Sequence, residues 1–156
     1  MEVFDSSVWL WGLLTDAPEP TRLVDEVLDG DRTVAVSAYI HDEVTRAFDR
    51  VDGATGPDVA SAQTTFNDVV ADLDNVVFPD QDEIGRMNAP EVAGRPEMRL
   101  LATVLDIQAK DAPVLVFAFD VGKETTLYIA DGGFTVSPAD HGITTVRIEM
   151  VRTPAG

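Results

Sequence analysis

Apolar residues are spaced along this chain in two alternating ways: short clusters of β-forming residues, and longer stretches where they return every third or fourth position. The clusters read as buried strands and the longer stretches as helices with one inward face. Glu2, Val3, Phe4 and Asp5 make a short first strand ending in an acid, and Ser6 and Ser7 stand as caps for the apolar run Val8, Trp9, Leu10, Trp11, Leu13 and Leu14. A second helix is expected from about Glu19 to Leu28, stopped by Gly30. Thr33 to Ser37 (TVAVS) is a strand. Tyr39 to Val51 then has helical spacing, with Val44, Ala47, Phe48 and Val51 on one face and His41, Asp42 and Glu43 in its first turns. There the helix dipole is the ordinary explanation for Asp42 and Glu43.

Pro57 to Leu73 predicts a long amphipathic helix, Asn75 to Phe78 (NVVF) a strand ended by Pro79, and Asp80 to Met87 one or two helical turns. A further helix spans Pro96 to Ile107. Asp111 reads as the N-cap of the next, with Pro113 in its first turn, where proline loses no hydrogen bond, and Gly122 as its stop. Thr125 to Ile129 are β-formers and the chain breaks at Asp131, Gly132 and Gly133. A turn or short helix through Ser137 to Asp140 leads to a last strand, Ile143 to Met150. A rival register makes Val114 to Phe119 (VLVFAF) a buried strand, with Asp120 as the strand-end acid and Glu97 as the helix acid; Pro113 argues against it.

Short strands alternating with helices predict an α/β fold. The expected form is a three-layer α/β/α arrangement around a central, mostly parallel sheet of about five short strands, joined by right-handed crossovers. No repeat, low-complexity tract or linker divides the chain, so residues 1–152 are expected as a single domain and 153–156 as a frayed tail. At 156 residues, such a domain buries roughly 70% of the surface its unfolded chain exposes.

Composition narrows the chemistry. The absence of cysteine excludes a disulfide, a thiolate zinc site and a cysteine nucleophile, and two isolated histidines do not build a His-rich metal site. Any metal must be held by oxygen. No apolar stretch approaches the roughly 20 residues of a membrane helix, and no basic region precedes an apolar run at the N-terminus, so the expectation is a cytoplasmic protein. No Walker A, G-x-G-x-x-G or G-x-S-x-G sequence supports nucleotide hydrolysis, dinucleotide binding or serine esterase chemistry.

Candidate chemistry comes from where the acids fall. A crossover helix begins where its strand finishes, so strand ends at Asp5 and Asp131 and helix starts at Glu43 and Asp111 share one rim of the sheet, the rim where open α/β sheets bind ligands. Carboxylates brought together raise one another's pKa and resist joint ionisation. A hard divalent cation resolves the conflict: Mg²⁺ or Mn²⁺ takes oxygen ligands and commonly shares its sphere with a phosphate. The chemistry implied is phosphodiester hydrolysis by metal-activated water. His41 is a surface or capping residue in this reading, since such water needs no separate base. Lys110 either meets a phosphate or pairs with Asp106. Arg46, Arg50, Arg86, Arg95 and Arg99 either line an RNA path or belong to solvated helix faces, and Trp9 and Trp11 serve packing or a dimer contact.

At these residues the chain resembles the PIN-domain nucleases, the family that includes the ribonuclease toxins of prokaryotic toxin–antitoxin pairs. Four motifs carry the likeness: an opening strand into Asp5-Ser6-Ser7; Ser37 followed six residues later by Glu43; Lys110-Asp111-Ala112 leading an apolar helix; and a strand into Ala130-Asp131 with Phe134 three on. The resemblance implies a Mg²⁺- or Mn²⁺-dependent endoribonuclease with Asp5, Glu43, Asp111 and Asp131 as metal ligands, Ser7 as a helper beside the first acid, RNA as substrate, an antitoxin partner and a homodimer. It departs from the family where threonines are common, at Ile40 and Ile129, and where a further acid often follows, at Gly132 and Gly133. A catalytically degenerate RNA-binding or assembly subunit is therefore the alternative, and action on structured or flapped DNA a third.

The charge balance bears on the source. With 28 acids against 11 bases the net charge is −17, a surface that repels itself and nucleic acid in ordinary salt. At about 1 M salt the screening length falls to roughly 3 Å, which points to an extreme halophile. Raising KCl from low to molar concentration is expected to raise the melting temperature; a melting temperature that stays level removes the halophile reading.

Overall fold

Val3 and Phe4 are consecutive and both completely buried, which places their strand inside the sheet with both faces covered, since a half-exposed strand would bury only alternate residues. The computed structural model describes residues 1–55, 57–130, 140, 142 and 144–154, without the side chains of 52–55, 57 and 58. Its sheet has the order β3-β2-β1-β4-β5, with β1 at Glu2–Phe4, β2 at Val34–Ala35, β3 at Val76–Val77, β4 at Thr125–Ile129 and β5 at Val146–Met150. Every pairing is parallel: Val3 lies opposite Ala35 on one side and Leu127 on the other, and Leu127 opposite Ile148. The chain runs outward from β1 to β3, then returns to the other side of β1 for β4, so the strand order reverses between β1 and β4.

Among the described residues, seven α-helices surround the sheet: α1 (Ser6–Leu14), α2 (Pro18–Leu28), α3 (Ala38–Thr55), α4 (Pro57–Asp72), α5 (Ala89–Ala93), α6 (Pro96–Leu105) and α7 (Ala112–Asp120), with 3₁₀ segments at Gln81–Arg86 and Ala109–Asp111. α1 packs against α2, α3 and α4, whereas α7 lies against β4 and α6. Trp9 is fully buried, its ring 5.3 Å from that of Phe4 and 5.4 Å from Phe66. The packing role considered for Trp9 is the one it fills. Among the described residues no helix is long and apolar enough to cross a membrane.

Several boundaries and caps differ from expectation. Asp5 holds the N-cap position of α1 without a side-chain capping bond, and Ser7, expected as a cap, turns its hydroxyl to Asp5 instead. Asp111 precedes α7 but its side chain makes no capping bond either. α6 stops at Leu105, before Ile107, because Asp106 adopts a left-handed conformation with φ 55°. β5 begins at Val146, after Thr144 and Thr145, and Ile143, expected as its first residue, lies outside the described residues. Val114 to Phe119 is helical, which overturns the rival register: Asp120 ends α7 and Glu97 lies in the first turn of α6. α5 was not anticipated, although Asn88 caps it by accepting from the Glu91 amide at 3.1 Å and Pro90 stands in its first turn.

α1 and α2 approach so closely that the side-chain-free Gly12 is required between them. A Cβ there would lie 2.4 Å from Val24 Cγ2 and 2.8 Å from the Pro20 carbonyl oxygen. Alanine favours a helix over glycine by up to about 1 kcal/mol, but overpacking costs about 1–3 kcal/mol. Gly12→Ala is therefore expected to lower unfolding free energy by about 1–2 kcal/mol in urea titrations; unchanged stability would show that the two helices part at no cost.

Candidate active site

Asp5 follows β1 directly. Its amide donates to the Tyr128 carbonyl at 2.9 Å, extending the β1–β4 ladder by one step, and its carbonyl accepts from the Val8 amide at 3.0 Å to start α1. The residue is thus fixed at the carboxyl end of β1, at the strand-order reversal where open parallel sheets bind ligands. Its side chain is 3% exposed. Ser7 Oγ donates to Asp5 Oδ2 at 3.0 Å and accepts from the Ala130 amide at 3.1 Å, joining the end of β4 to the end of β1. That contact sets the Ser7 hydroxyl beside Asp5. Asp131, the next residue, lies outside the described residues, as does Phe134.

Glu43 reaches the same rim from α3. The helix is started by Ser37, whose Oγ accepts from the Ile40 amide at 3.1 Å, and by Asp80, whose Oδ1 accepts from the Ala38 amide at 2.8 Å. Because α3 begins at Ala38, Glu43 stands in its second turn, one turn beyond Tyr39 and on the same face. Burial, followed by the charges of Asp5 and Asp111, pushes the Glu43 carboxyl up to about 8; a bond from Ser6 and the Lys110 ammonium pull the other way. Its Oε1 is buried and accepts no hydrogen bond.

Asp111 ends the 3₁₀ turn ahead of α7 and is 3% exposed. The turn is held by Tyr39, whose hydroxyl donates to the Lys110 carbonyl at 2.6 Å. Burial and the negative charges of Glu43, Asp111 and Asp5 all raise the Tyr39 pKa, so the tyrosine stays a donor. Asp5, Glu43 and Asp111, from three distant segments, therefore act on one another through a common field. Among the described residues, no group of three or more acidic or histidine side chains is arranged to hold a metal ion. The donor chemistry is nonetheless that of a hard, oxygen-seeking cation: carboxylates only, raised pKa, and an unsatisfied buried oxygen on Glu43.

Other residues resolve differently from the sequence reading. Tyr39 was missed as a site residue, and its spacing of four from Glu43 was the available signal. Asp42 is not explained by the helix dipole: Oδ2 accepts from Arg46 Nε at 2.7 Å and from the Ala89 amide at 2.8 Å, tying α3 to α5. His41 lies against Phe66 and Phe78, with ring centroids at 5.5 and 5.9 Å, and burial lowers its pKa. It is half-buried and packs against these rings.

No family model matches the chain, and no curated protein matches it. A solved structure does. The crystal structure of VapBC2 from Rickettsia felis, bound to a DNA fragment from their promoter, contains a chain similar to this one over 96% of this chain and 98% of that chain, with a TM-score of 0.55 and 12% sequence identity. The fold is PIN-like. At this identity the likeness establishes the architecture, and the PIN-like sheet accounts for how Asp5, Glu43 and Asp111 come to face one another.

The raised Glu43 carboxyl makes stability pH-dependent in a defined direction. A carboxyl ordinarily near 4.5 whose folded value is higher contributes stability that is full below the unfolded value and is lost as pH rises through the folded one. In EDTA, the wild-type protein is expected to lose stability between about pH 4.5 and 8 relative to Glu43→Gln, so the unfolding free energy of the variant minus that of wild type should grow across this window. A flat difference would contradict the cluster.

Proposed function

We propose that this PIN-like chain is a Mg²⁺- or Mn²⁺-dependent endoribonuclease that hydrolyses RNA phosphodiester bonds and serves as the toxin of a toxin–antitoxin pair. The observation that carries this reading is the mutual field of Asp5, Glu43 and Asp111 at the strand-order reversal, which holds one carboxyl near 8. Joint ionisation there requires a compensating positive charge. Asp5, Glu43 and Asp111, completed by Asp131, are the residues that would hold the cation. Such a bound ion supplies an activated water and neutralises charge on phosphoryl oxygens. Ser7 keeps Asp5 oriented, and Tyr39 keeps the Asp111 turn in place, roles whose loss commonly costs 10- to 100-fold in metal sites.

Likeness to a chain of the VapBC2 assembly supports an antitoxin as protein partner, with the acidic groove as its target. A homodimer in the cytoplasm completes the reading. It is supported by Leu100 and Val104, one turn apart on α6 and 66% and 58% exposed, since neighbouring exposed apolar side chains favour association.

A second reading has its own support. Ile40 and Ile129, where the resembling family often has threonine, are completely buried in the apolar core, so neither supplies a hydroxyl to the site. A PIN-fold protein that has lost catalysis and acts as an RNA-binding or assembly subunit would look the same. Mn²⁺ titration separates the two, because a competent site gives saturable thermal stabilisation. With Mn²⁺ at molar KCl, the wild-type protein is expected to cut RNA, and Asp5→Asn or Asp111→Asn to slow cleavage by more than about 100-fold, beyond the usual cost of an outer-sphere change, with an unchanged circular dichroism spectrum. RNA left intact by the wild type, together with no stabilisation by Mn²⁺, would favour the second reading.

A further inference from the structure

Beside the carboxylates, between α3 and α5, lies an open depression of about 250 Å³ lined by Tyr39, Glu43, Arg46, Arg50, Lys110 and the apolar trio Ala89, Pro90 and Ala93. Three of its lining residues are cationic and one, Glu43, is an acid, in a chain of net charge −17. A second depression, of about 220 Å³, borders the other side of α5 and is lined by two bases, Arg86 and Arg95, and two acids, Glu83 and Glu91. Of the two hollows flanking this short helix, the one beside the carboxylates is therefore the one with more bases than acids.

The cations are placed by identifiable contacts. Asp42 engages Arg46 through Nε alone, at 2.7 Å, and the Arg46 side chain stays 41% exposed. The outer edge of that guanidinium is thereby directed away from Asp42, in the fork geometry that suits phosphate oxygens. Arg50, one helical turn further, is exposed. Lys110 belongs to the turn that Tyr39 pins, and its ammonium acts on Glu43. The charge therefore grades from acidic at Asp5 and Asp111, through Glu43 and Lys110, to basic at Arg46 and Arg50. The floor is apolar and flat, supplied by Ala89, Pro90 and Ala93.

We propose that this depression is a nucleotide subsite: it seats one sugar–phosphate unit of a single-stranded RNA next to the bond to be cut, with phosphate oxygens on Arg46, Arg50 and Lys110 and the sugar or base face on Ala89, Pro90 and Ala93. The proposal rests on the RNA-directed reading of the carboxylate site and adds to it the side from which the strand enters. The subsite also answers how an acidic protein attracts a polyanion: phosphate contacts supply most of the non-specific affinity for nucleic acid, and here they are concentrated at the one place where a phosphodiester is needed.

The test separates binding from cleavage by working in EDTA. A fluorescein-labelled 12-nucleotide single-stranded RNA is titrated with wild type, with Arg50→Gln/Lys110→Gln, and with Lys123→Gln/Arg147→Gln, a charge-matched pair before β4 and on β5, away from the depression. The first pair is expected to raise Kd about tenfold and to reduce the slope of log Kd against log salt by about 1.4, at roughly 0.7 for each phosphate no longer neutralised; the control pair shifts Kd less than twofold. Unchanged melting temperatures confirm that the exposed substitutions leave the fold intact. Equal losses for the two pairs, no RNA binding by wild type, or the same loss toward poly-glutamate as toward RNA would overturn the subsite, the last by showing an acidic-peptide surface instead. Because no divalent ion is present, failure of cleavage does not bear on this result, and intact cleavage with unaltered RNA affinity in the first pair would sink the subsite alone.

Discussion

Parallel pairing of β1 with β2 and β4 sends the strand exits to one rim, and the protein places carboxylates on that rim inside its own surface. Asp5 and Asp111 are almost wholly buried, and Lys110, whose charge opposes the rise at Glu43, is itself exposed. Removing a carboxylate from water is costly, and setting a second negative charge beside it adds to the cost. The raised pKa of Glu43 is the structure's own answer to that conflict. Tyr39 and Ser7 keep the arrangement in place at distances set by hydrogen bonds.

The opposite end of the sheet is organised by the reverse device. Arg32 is held by Glu2, by Glu26 with Nη2 at 2.6 Å from Oε2, and by the Tyr128 hydroxyl at 3.3 Å. One half-buried guanidinium thereby fastens the start of β1 to α2 and to β4. The pairs with Glu26 lower that carboxyl's pKa, in contrast to the rise at Glu43. The two ends of β1 thus differ in what they lack: the Arg32 end is charge-paired within the chain, and the Asp5 end has an excess of negative charge, which suits it to a cationic ligand.

Much of this was legible in the pattern of the chain. The central strands read as continuous apolar runs because both faces are covered, and the long helices declared themselves by their spacing; Pro113, within the first turn of α7, gave the correct reading of an otherwise ambiguous apolar run. Asp5 and Asp111 stood out because they sit at element boundaries, and Glu43 because it falls within the opening turns of α3. The supporting contacts were not legible. Ser7 and Ala130 are 123 positions apart, and Tyr39 and Lys110 are 71 apart, separations that local periodicity does not encode. Asp42 was misread for the same reason: its partner, the Ala89 amide, belongs to a short helix with too few turns to show a period. Polar side chains near helix starts invite a capping explanation, yet Asp5 and Asp111 make no side-chain capping bond, and Ser7 instead joins Asp5 to the distant Ala130 amide.

The hydroxyl between the two strand ends also ties the first acid of the cluster to a strand that is not its own. Ser7 accepts from the Ala130 amide and donates to Asp5 Oδ2, while the Asp5 amide donates to the Tyr128 carbonyl. The Asp5 carboxyl is thus aimed by two strands at once, by β1 through its own backbone and by β4 through a serine.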